Sequence, residues 1–208
     1  MPPLIKKNST MTMPSTLANL ASKKLILGSN SPRRQELLRG LGLEFEVRVH
    51  PIAENLPADL PAQYAAAYLS KLKADLFPDQ LQEDEILITA DTVVIDGGKV
   101  LGKPANEREA FEMLKSLSGT THTVMTAVTL KDQKTSVTLE DETQVTFRFL
   151  EEDEIWYYLK QYQPYDKAGS YGIQEWIGFV GVSSITGSYF TVMGFPMHLV
   201  YSQLKKWV

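Results

Sequence analysis

The sequence predicts an α/β protein, and three observations carry that expectation. Short apolar runs alternate with stretches whose apolar residues recur at helical spacing. Small polar residues, glycine and proline fall at the junctions between them. The chain has 208 residues, 43% hydrophobic and 22% charged, enough to bury one large core or two modest lobes.

The first element is an apolar strand at Leu25–Leu27, ending in Gly28, Ser29 and Asn30. Ser31 caps the helix expected over Pro32–Leu41, and proline suits its first turn because the missing N–H would be unpaired there. Leu37, Leu38 and Leu41 form its apolar stripe, and Gly40 and Gly42 close it. Phe45, Val47 and Val49 alternate as a second strand, and Pro51 to Asp59 reads as a loop carrying Glu54. Pro61 opens a second helix, with Ala65, Tyr68, Leu69, Leu72 and Leu76 on one face. Ile86–Ile88 is a third strand running into Ala90-Asp91-Thr92, so Asp91 is expected at a strand end. Asp96-Gly97-Gly98, between Val93–Ile95 and Lys99–Leu101, is a hairpin signal. Asn106 and Glu109 resemble a capping box for a third helix striped by Ala110, Phe111, Leu114 and Leu117. Thr121 to Phe149 reads as strands rich in valine and threonine, broken by a turn near Lys131–Lys134. Glu151, Glu152, Asp153 and Glu154 put acids into the first turn of the next helix, the sign its dipole prefers. Tyr162 to Ser188 reads as a long Gly- and aromatic-rich loop region, and Pro196 opens the final helix.

Composition narrows the function classes. A formal charge of −4 repels nucleic acid as a polymer, so any polyanion site must be a local basic cluster. The chain has no cysteine, which excludes disulfides, thiolate zinc sites and cysteine nucleophiles and fits a reducing cytoplasm. His50, His122 and His198 are widely spaced and form no HExxH pattern. No apolar run approaches the roughly 20 residues that span a bilayer. The opening residues lack a signal-peptide core; residues 1–23 read as a poorly ordered leader, with Met11 and Met13 as alternative starts, ahead of a single domain over 24–208.

Charged residues recur where strands meet loops. Arg33 and Arg34 occupy the first turn of the first helix, where the dipole favours anions. Two readings stand open: the arginines and exposed N–H groups form a phosphate trap, or they pair with Glu36 or a neighbouring acid. Asp91 follows the third strand, and Lys103 follows the hairpin in Leu-Gly-Lys-Pro. Lys73 borders the apolar stripe of the second helix, closer to a cleft than Lys71. Arginines, lysines and carboxylates meeting at one strand-end mouth suit a polyphosphate with a divalent metal. Neither GxxxxGK[ST] nor GxGxxG is present.

The string Leu25-Ile-Leu-Gly-Ser-Asn-Ser-Pro-Arg-Arg-Gln-Glu-Leu-Leu38 resembles the opening motif of the Maf family of nucleoside triphosphate pyrophosphatases. Ala90-Asp91-Thr92-Val93-Val94, Leu101-Gly102-Lys103-Pro104, Leu117-Ser118-Gly119-Thr120-Thr121-His122, Asp166-Lys167-Ala168-Gly169-Ser170-Tyr171-Gly172-Ile173-Gln174 and Gly187-Ser188-Tyr189 resemble the later motifs, in order. The resemblance implies a twisted mixed sheet flanked by helices, two lobes around a central cleft, similar to the inosine triphosphate pyrophosphatases. It implies hydrolysis of a nucleoside triphosphate to monophosphate and pyrophosphate with a divalent cation, Mg²⁺ or Mn²⁺, by a cytoplasmic enzyme of possible homodimeric form. Position by position, Asp91 matches the family's general base or metal carboxylate, and Glu54 matches an acid of the loop after the second strand that would share the metal. Ser29, Arg34, Lys73 and Lys103 match groups lining the phosphate path. Arg33, Thr92 and Gln174 match the positions that separate subfamilies, and Arg-Thr-Gln there resembles the branch acting on dTTP and UTP. Two departures stand out: Ala53-Glu54 where the family often has Asp-Glu, and Glu175-Trp176 where small residues commonly follow the glutamine. The same resemblance carries an alternative, a nucleotide-binding regulator of septum formation with little turnover.

Overall fold

The computed structural model describes residues 15–207. Strand β1 (Lys24–Leu27) leads to helix α1 (Pro32–Gly40) and strand β2 (Phe45–Val47). Helix α2 (Ala65–Asp75) precedes the long strand β3 (Glu85–Asp96), which turns into β4 (Lys99–Leu101). Helix α3 (Glu107–Leu117), strands β5 (Thr121–Lys131) and β6 (Ser136–Phe147), and helix α4 (Glu152–Tyr162) follow. The last third holds α5 (Trp176–Gly181), β7 (Val182–Thr186), α6 (Tyr189–Val192) and α7 (Met197–Leu204). The strands form one mixed sheet in the order β2-β1-β3-β5-β6-β7, with β4 beside β3. β1 runs parallel to both β2 and β3, and the other pairings are antiparallel. This is the α/β layout expected from the alternation of apolar periods.

Successive side chains of β3 point to opposite faces of the sheet. On one face Thr89, Asp91 and Val93 look at α2. Thr89 Oγ1 donates to the Ser70 carbonyl at 2.8 Å, and Ser70 Oγ donates back to the Thr89 carbonyl at 3.3 Å. Both residues are buried, so this reciprocal pair fixes the height of α2 along β3. On the other face two apolar clusters share the sheet. One packs Leu25, Leu27, Ile88 and Ala90 against Leu37 and Leu38 of α1 and Val200 and Leu204 of α7. The second packs Val94, Val124, Val145 and Phe147 against α3, α4 and Ile173. These are the two lobes, and a cleft lies between them.

Three expectations are corrected. Asp91 does not end a strand; it sits mid-β3, paired with Ala127 of β5. The strand continues because its neighbours change: β1 accompanies it only to Ile88, and β4 joins only from Val94. The poorly ordered leader expected over residues 1–23 does not hold for the part that is described. Residues 1–14 lie outside the described residues, but Ser15–Leu20 forms a 3₁₀ helix whose Leu17 and Leu20 are buried in the first cluster. Asn19 Nδ2 donates to the carbonyls of Leu204 (2.9 Å) and Trp207 (2.8 Å), satisfying the exposed end of α7. The region Tyr162 to Ser188 is not mainly loop: it holds α5 and β7, and it buries Tyr171, Ile173 and Ile177. Among the described residues no helix is long and apolar enough to cross a membrane.

His122 of β5 is buried, with Nε2 2.7 Å from the Tyr171 hydroxyl and Nδ1 without a partner among the described residues. Burial pushes its pKa down to about 4. In the unfolded chain the imidazole titrates near 6.5, so between these values the unfolded state binds more protons. Its neutral burial therefore costs nothing above about pH 6.5, and stability falls as pH drops toward 4, by about 3 kcal/mol in all. Urea unfolding at pH 7 and pH 4.5 is expected to show a steeper loss for the wild type than for His122→Gln. Parallel losses would remove His122 as the cause.

Candidate active site

All nine residues singled out from the sequence, Ser29, Arg33, Arg34, Glu54, Lys73, Asp91, Thr92, Lys103 and Gln174, line one cavity of about 480 Å³. They arrive from β1's following loop, α1, the loop before α2, α2 itself, β3, the loop after β4 and the loop before α5.

The cavity exists because β3 lacks a neighbour on one edge between Ile88 and Val94. Arg34 fills part of this gap. Its Nη1 donates to the freed Ala90 carbonyl at 3.0 Å and to Ser29 Oγ at 3.2 Å. Its Nε donates to the Gly194 carbonyl at 3.0 Å, and its Nη2 to Thr92 Oγ1 at 3.2 Å. Every one of these acceptors is neutral. Burial pulls the Arg34 pKa down, and the nearby Asp91 charge opposes that fall. A guanidinium stays protonated regardless, so the site holds a desolvated positive charge with no carboxylate in direct contact. Gly194 makes this possible: it has φ of +96°, and a Cβ there would lie 3.0 Å from Thr92 Oγ1 and 3.7 Å from Arg34 Nε.

The opposite wall is ionic. Lys73 Nζ lies 2.5 Å from Asp91 Oδ1 and 2.8 Å from Glu54 Oε1, and Lys103 Nζ lies 3.8 Å from Glu54 Oε2. Helical geometry explains the reach: Ser70, locked to Thr89, and Lys73 are three residues apart on one face of α2, as Thr89 and Asp91 are two apart on one face of β3. Burial works against the charge on Glu54, yet Lys73, Lys103 and Arg34 together hold its carboxyl below the usual range.

The alternatives left open for the two arginines divide between them. Arg33 pairs with a carboxylate, but that of Asp166 at 3.7 Å, not Glu36. Among the described residues Arg34 pairs with no acid and turns to the neutral acceptors above. Asp166 and Lys167 also line the cavity and were given no role from the sequence, although they stand inside the Asp-Lys-Ala-Gly string. Lys167 is buried and bridges Asp166 Oδ1 (2.7 Å) and Glu175 Oε1 (3.2 Å). Glu175 also accepts from the Tyr158 hydroxyl, which itself receives the Gly172 N–H at 3.0 Å. The charge of Glu175 is thus neutralised behind the wall, and Trp176 packs edge-on to Tyr157, so this departure adds neither bulk nor free charge to the cavity. The Gln174 Oε1 atom is buried without a partner among the described residues.

No group of three or more histidines, cysteines and acids that could hold a metal exists among the described residues. Asp91 and Glu54, joined through Lys73, suit an ion of the Mg²⁺ kind, which takes one or two carboxylates and completes its shell with water and substrate phosphates.

A cleft at a sheet discontinuity, lined by five cations and three carboxylates, defines an anion-binding α/β protein of polyphosphate-handling type. The family model described as Maf-like protein matches residues 24–207, and the chain belongs to that family. It is 49% identical over 191 residues to a dTTP/UTP pyrophosphatase of Bacteroides fragilis, covering 91% of this chain and 99% of the relative. A protein of the same description from Phocaeicola vulgatus is 50% identical over 191 residues, with coverage of 91% and 99%. One from Porphyromonas gingivalis is 48% identical over 192 residues, with coverage of 91% and 96%. Among solved structures, the Staphylococcus aureus Ham1 protein aligns with a TM-score of 0.42 at 9% identity, over 60% of this chain and 72% of that one.

Gly194→Ala is expected to cost at least about 1 kcal/mol, since alanine at positive φ is strained and its methyl presses on Thr92. Urea midpoints check this, and an unchanged midpoint would show that the loop relaxes freely.

Proposed function

We propose that this chain hydrolyses nucleoside triphosphates, with dTTP and UTP as substrates, to the monophosphate and pyrophosphate. It is a hydrolase acting on an acid anhydride, working in the cytoplasm where these nucleotides are made and used. The observation that carries the reading is the pairing of Asp91 with Lys73 at 2.5 Å in the cavity that also holds Arg34, Glu54 and Lys103. The names of the relatives, each about half identical over nearly their whole length, support the same substrates.

In the proposed reaction Asp91 accepts a proton from water as its oxygen bonds to the α-phosphorus. The bond from that phosphorus to the bridging oxygen breaks, and pyrophosphate leaves. Lys73 holds the Asp91 carboxylate in place, and with Lys103 it offers ammonium donors to the departing phosphates. Ser29 Oγ already accepts from Arg34, so its own proton is free for a phosphate oxygen. Arg34 has four of its contacts spent on protein acceptors, so it acts through its charge more than through a bidentate clasp. Asp91 and Glu54 would hold a Mg²⁺ or Mn²⁺ ion, which when bound neutralises phosphate charge. Gln174 lines the cavity and carries an acceptor unpaired among the described residues, the chemistry that matches the N3–H that uracil and thymine carry and cytosine lacks. Arg33, paired to Asp166 across the cavity, completes the base end.

Pyrophosphate release from the eight common nucleoside triphosphates, with Mg²⁺ or Mn²⁺, tests the reading, with dTTP and UTP expected to be turned over fastest. Tight nucleotide binding without turnover would overturn it and favour the regulator. Asp91→Asn is expected to lower kcat by about 10² to 10⁴, the worth of a general base, with the fold intact by circular dichroism. Gln174→Ala is expected to lower kcat/KM for UTP about tenfold while leaving inhibition by free pyrophosphate unchanged. Equal losses would make Gln174 a structural residue.

A further inference from the structure

Thr126 is a polar interruption in an apolar row. Its neighbours on the same face of β5, Val124 and Val128, belong to the two opposing cores. Thr126 lies between them, fully buried, opposite Thr92 in the sheet register and outside the cavity lining. A valine would fill the same space without bringing a hydroxyl out of water, so the oxygen calls for a use.

Its hydrogen bonds have a fixed direction. Thr126 Oγ1 is 2.7 Å from the Thr191 carbonyl, which only accepts, so the single Thr126 proton is spent there. The 3.0 Å contact between the Thr92 and Thr126 hydroxyls must then take its proton from Thr92. The Thr92 oxygen in turn accepts from Arg34 Nη2 at 3.2 Å. The chain runs one way, from guanidinium to Thr92 to Thr126 to the Thr191 carbonyl. Thr92 has no proton left for a phosphate or base oxygen. Its donation to Thr126 makes its oxygen a better acceptor for Arg34, since bonds in series polarise one another.

We propose that Thr126 and Thr92 are positioning residues that aim the buried Arg34 guanidinium at the triphosphate, and that Thr92 acts through Arg34 and not by reading the base. This rests on the hydrolase reading above. The side of the sheet supports it: Thr92 shares its face of β3 with Ala90, whose carbonyl also binds Arg34, while Asp91 faces α2.

The test uses the full chain. Thr126→Val is expected to lower kcat/KM about tenfold, the usual cost of stranding one buried hydrogen-bonding partner, and by the same factor for dTTP, UTP and CTP. Thr126→Ser restores the rate, and Thr92→Val, a second variant, repeats the base-independent loss. In an Arg34→Lys background, which keeps the charge and loses the fork, Thr126→Val causes no further loss. Nitrogen-15 spectra of the Arg34 guanidinium, recorded without substrate, are expected to resolve its two Nη groups in the wild type and to merge them in Thr126→Val. A loss that depends on the base, an additive loss in the Arg34→Lys background, or an unchanged guanidinium spectrum would overturn the proposal. A wild type that cleaves no triphosphate would sink the hydrolase reading alone, because the guanidinium spectrum decides the positioning separately.

Discussion

The site depends on a five-residue stretch of β3, Thr89 to Val93, that has β5 on one edge and no strand on the other. β1 stops after Leu27, where Gly28 N–H makes the last bond to the Ile88 carbonyl at 2.9 Å, and β4 begins only opposite Val94. A missing neighbour inside a sheet leaves backbone groups that must find partners. Here the Ala90 carbonyl finds the Arg34 guanidinium. One unmet backbone requirement thus draws a cation into the sheet, and the opening lets residues from both faces of β3 meet in one cavity. Asp91 comes from the α2 face and Thr92 from the other, although they are sequence neighbours.

The two walls treat charge differently. At the α2 wall Lys73 lies between Asp91 and Glu54, so positive and negative groups are already compensated. At the α1 wall the Arg34 charge rests on carbonyls and hydroxyls, which fix its position without cancelling it. Counting Arg33, Arg34, Lys73, Lys103 and Lys167 against Glu54, Asp91 and Asp166, the lining carries an excess of positive charge within a chain of net charge −4. The field is local, as the composition required.

The local elements were legible in the sequence because their signals are local. Pro32 at the start of α1, the stripe Leu37 and Leu38, the Asn106 cap and the acids before α4 each act within a few residues. The gathering of the site residues was legible only through the ordered family motifs, since no spacing rule links Ser29 to Gln174. What stayed hidden depends on partners remote in sequence. Leu17 and Leu20 look like scattered apolar residues among polar ones, and the cluster that includes the remote Leu204 and Trp207 gives them a place to pack. The continuation of β3 through Asp91 depends on β5, because a strand that loses one neighbour persists if the other remains. The ion pair of Arg33 with Asp166 spans 133 positions, and proximity could suggest only Glu36 or a neighbouring acid.

The fates of the two adjacent arginines follow from one helical turn. Residues one apart on a helix are separated by about 100° and cannot share a direction. With Leu37 and Leu38 buried against the sheet, Arg34 is turned into the gap beside β3, while Arg33 is turned toward the opposite lobe. Folding has already stripped water from Arg34, so a phosphate that comes near it gains the attraction without removing that water again. Arg33 remains partly solvated and holds Asp166, so a substrate group must compete with a carboxylate to engage it. The first arrangement favours a charge that every nucleoside triphosphate shares. In the proposed function the second would make binding conditional on a group able to displace or accommodate Asp166, which is the property a selectivity element needs.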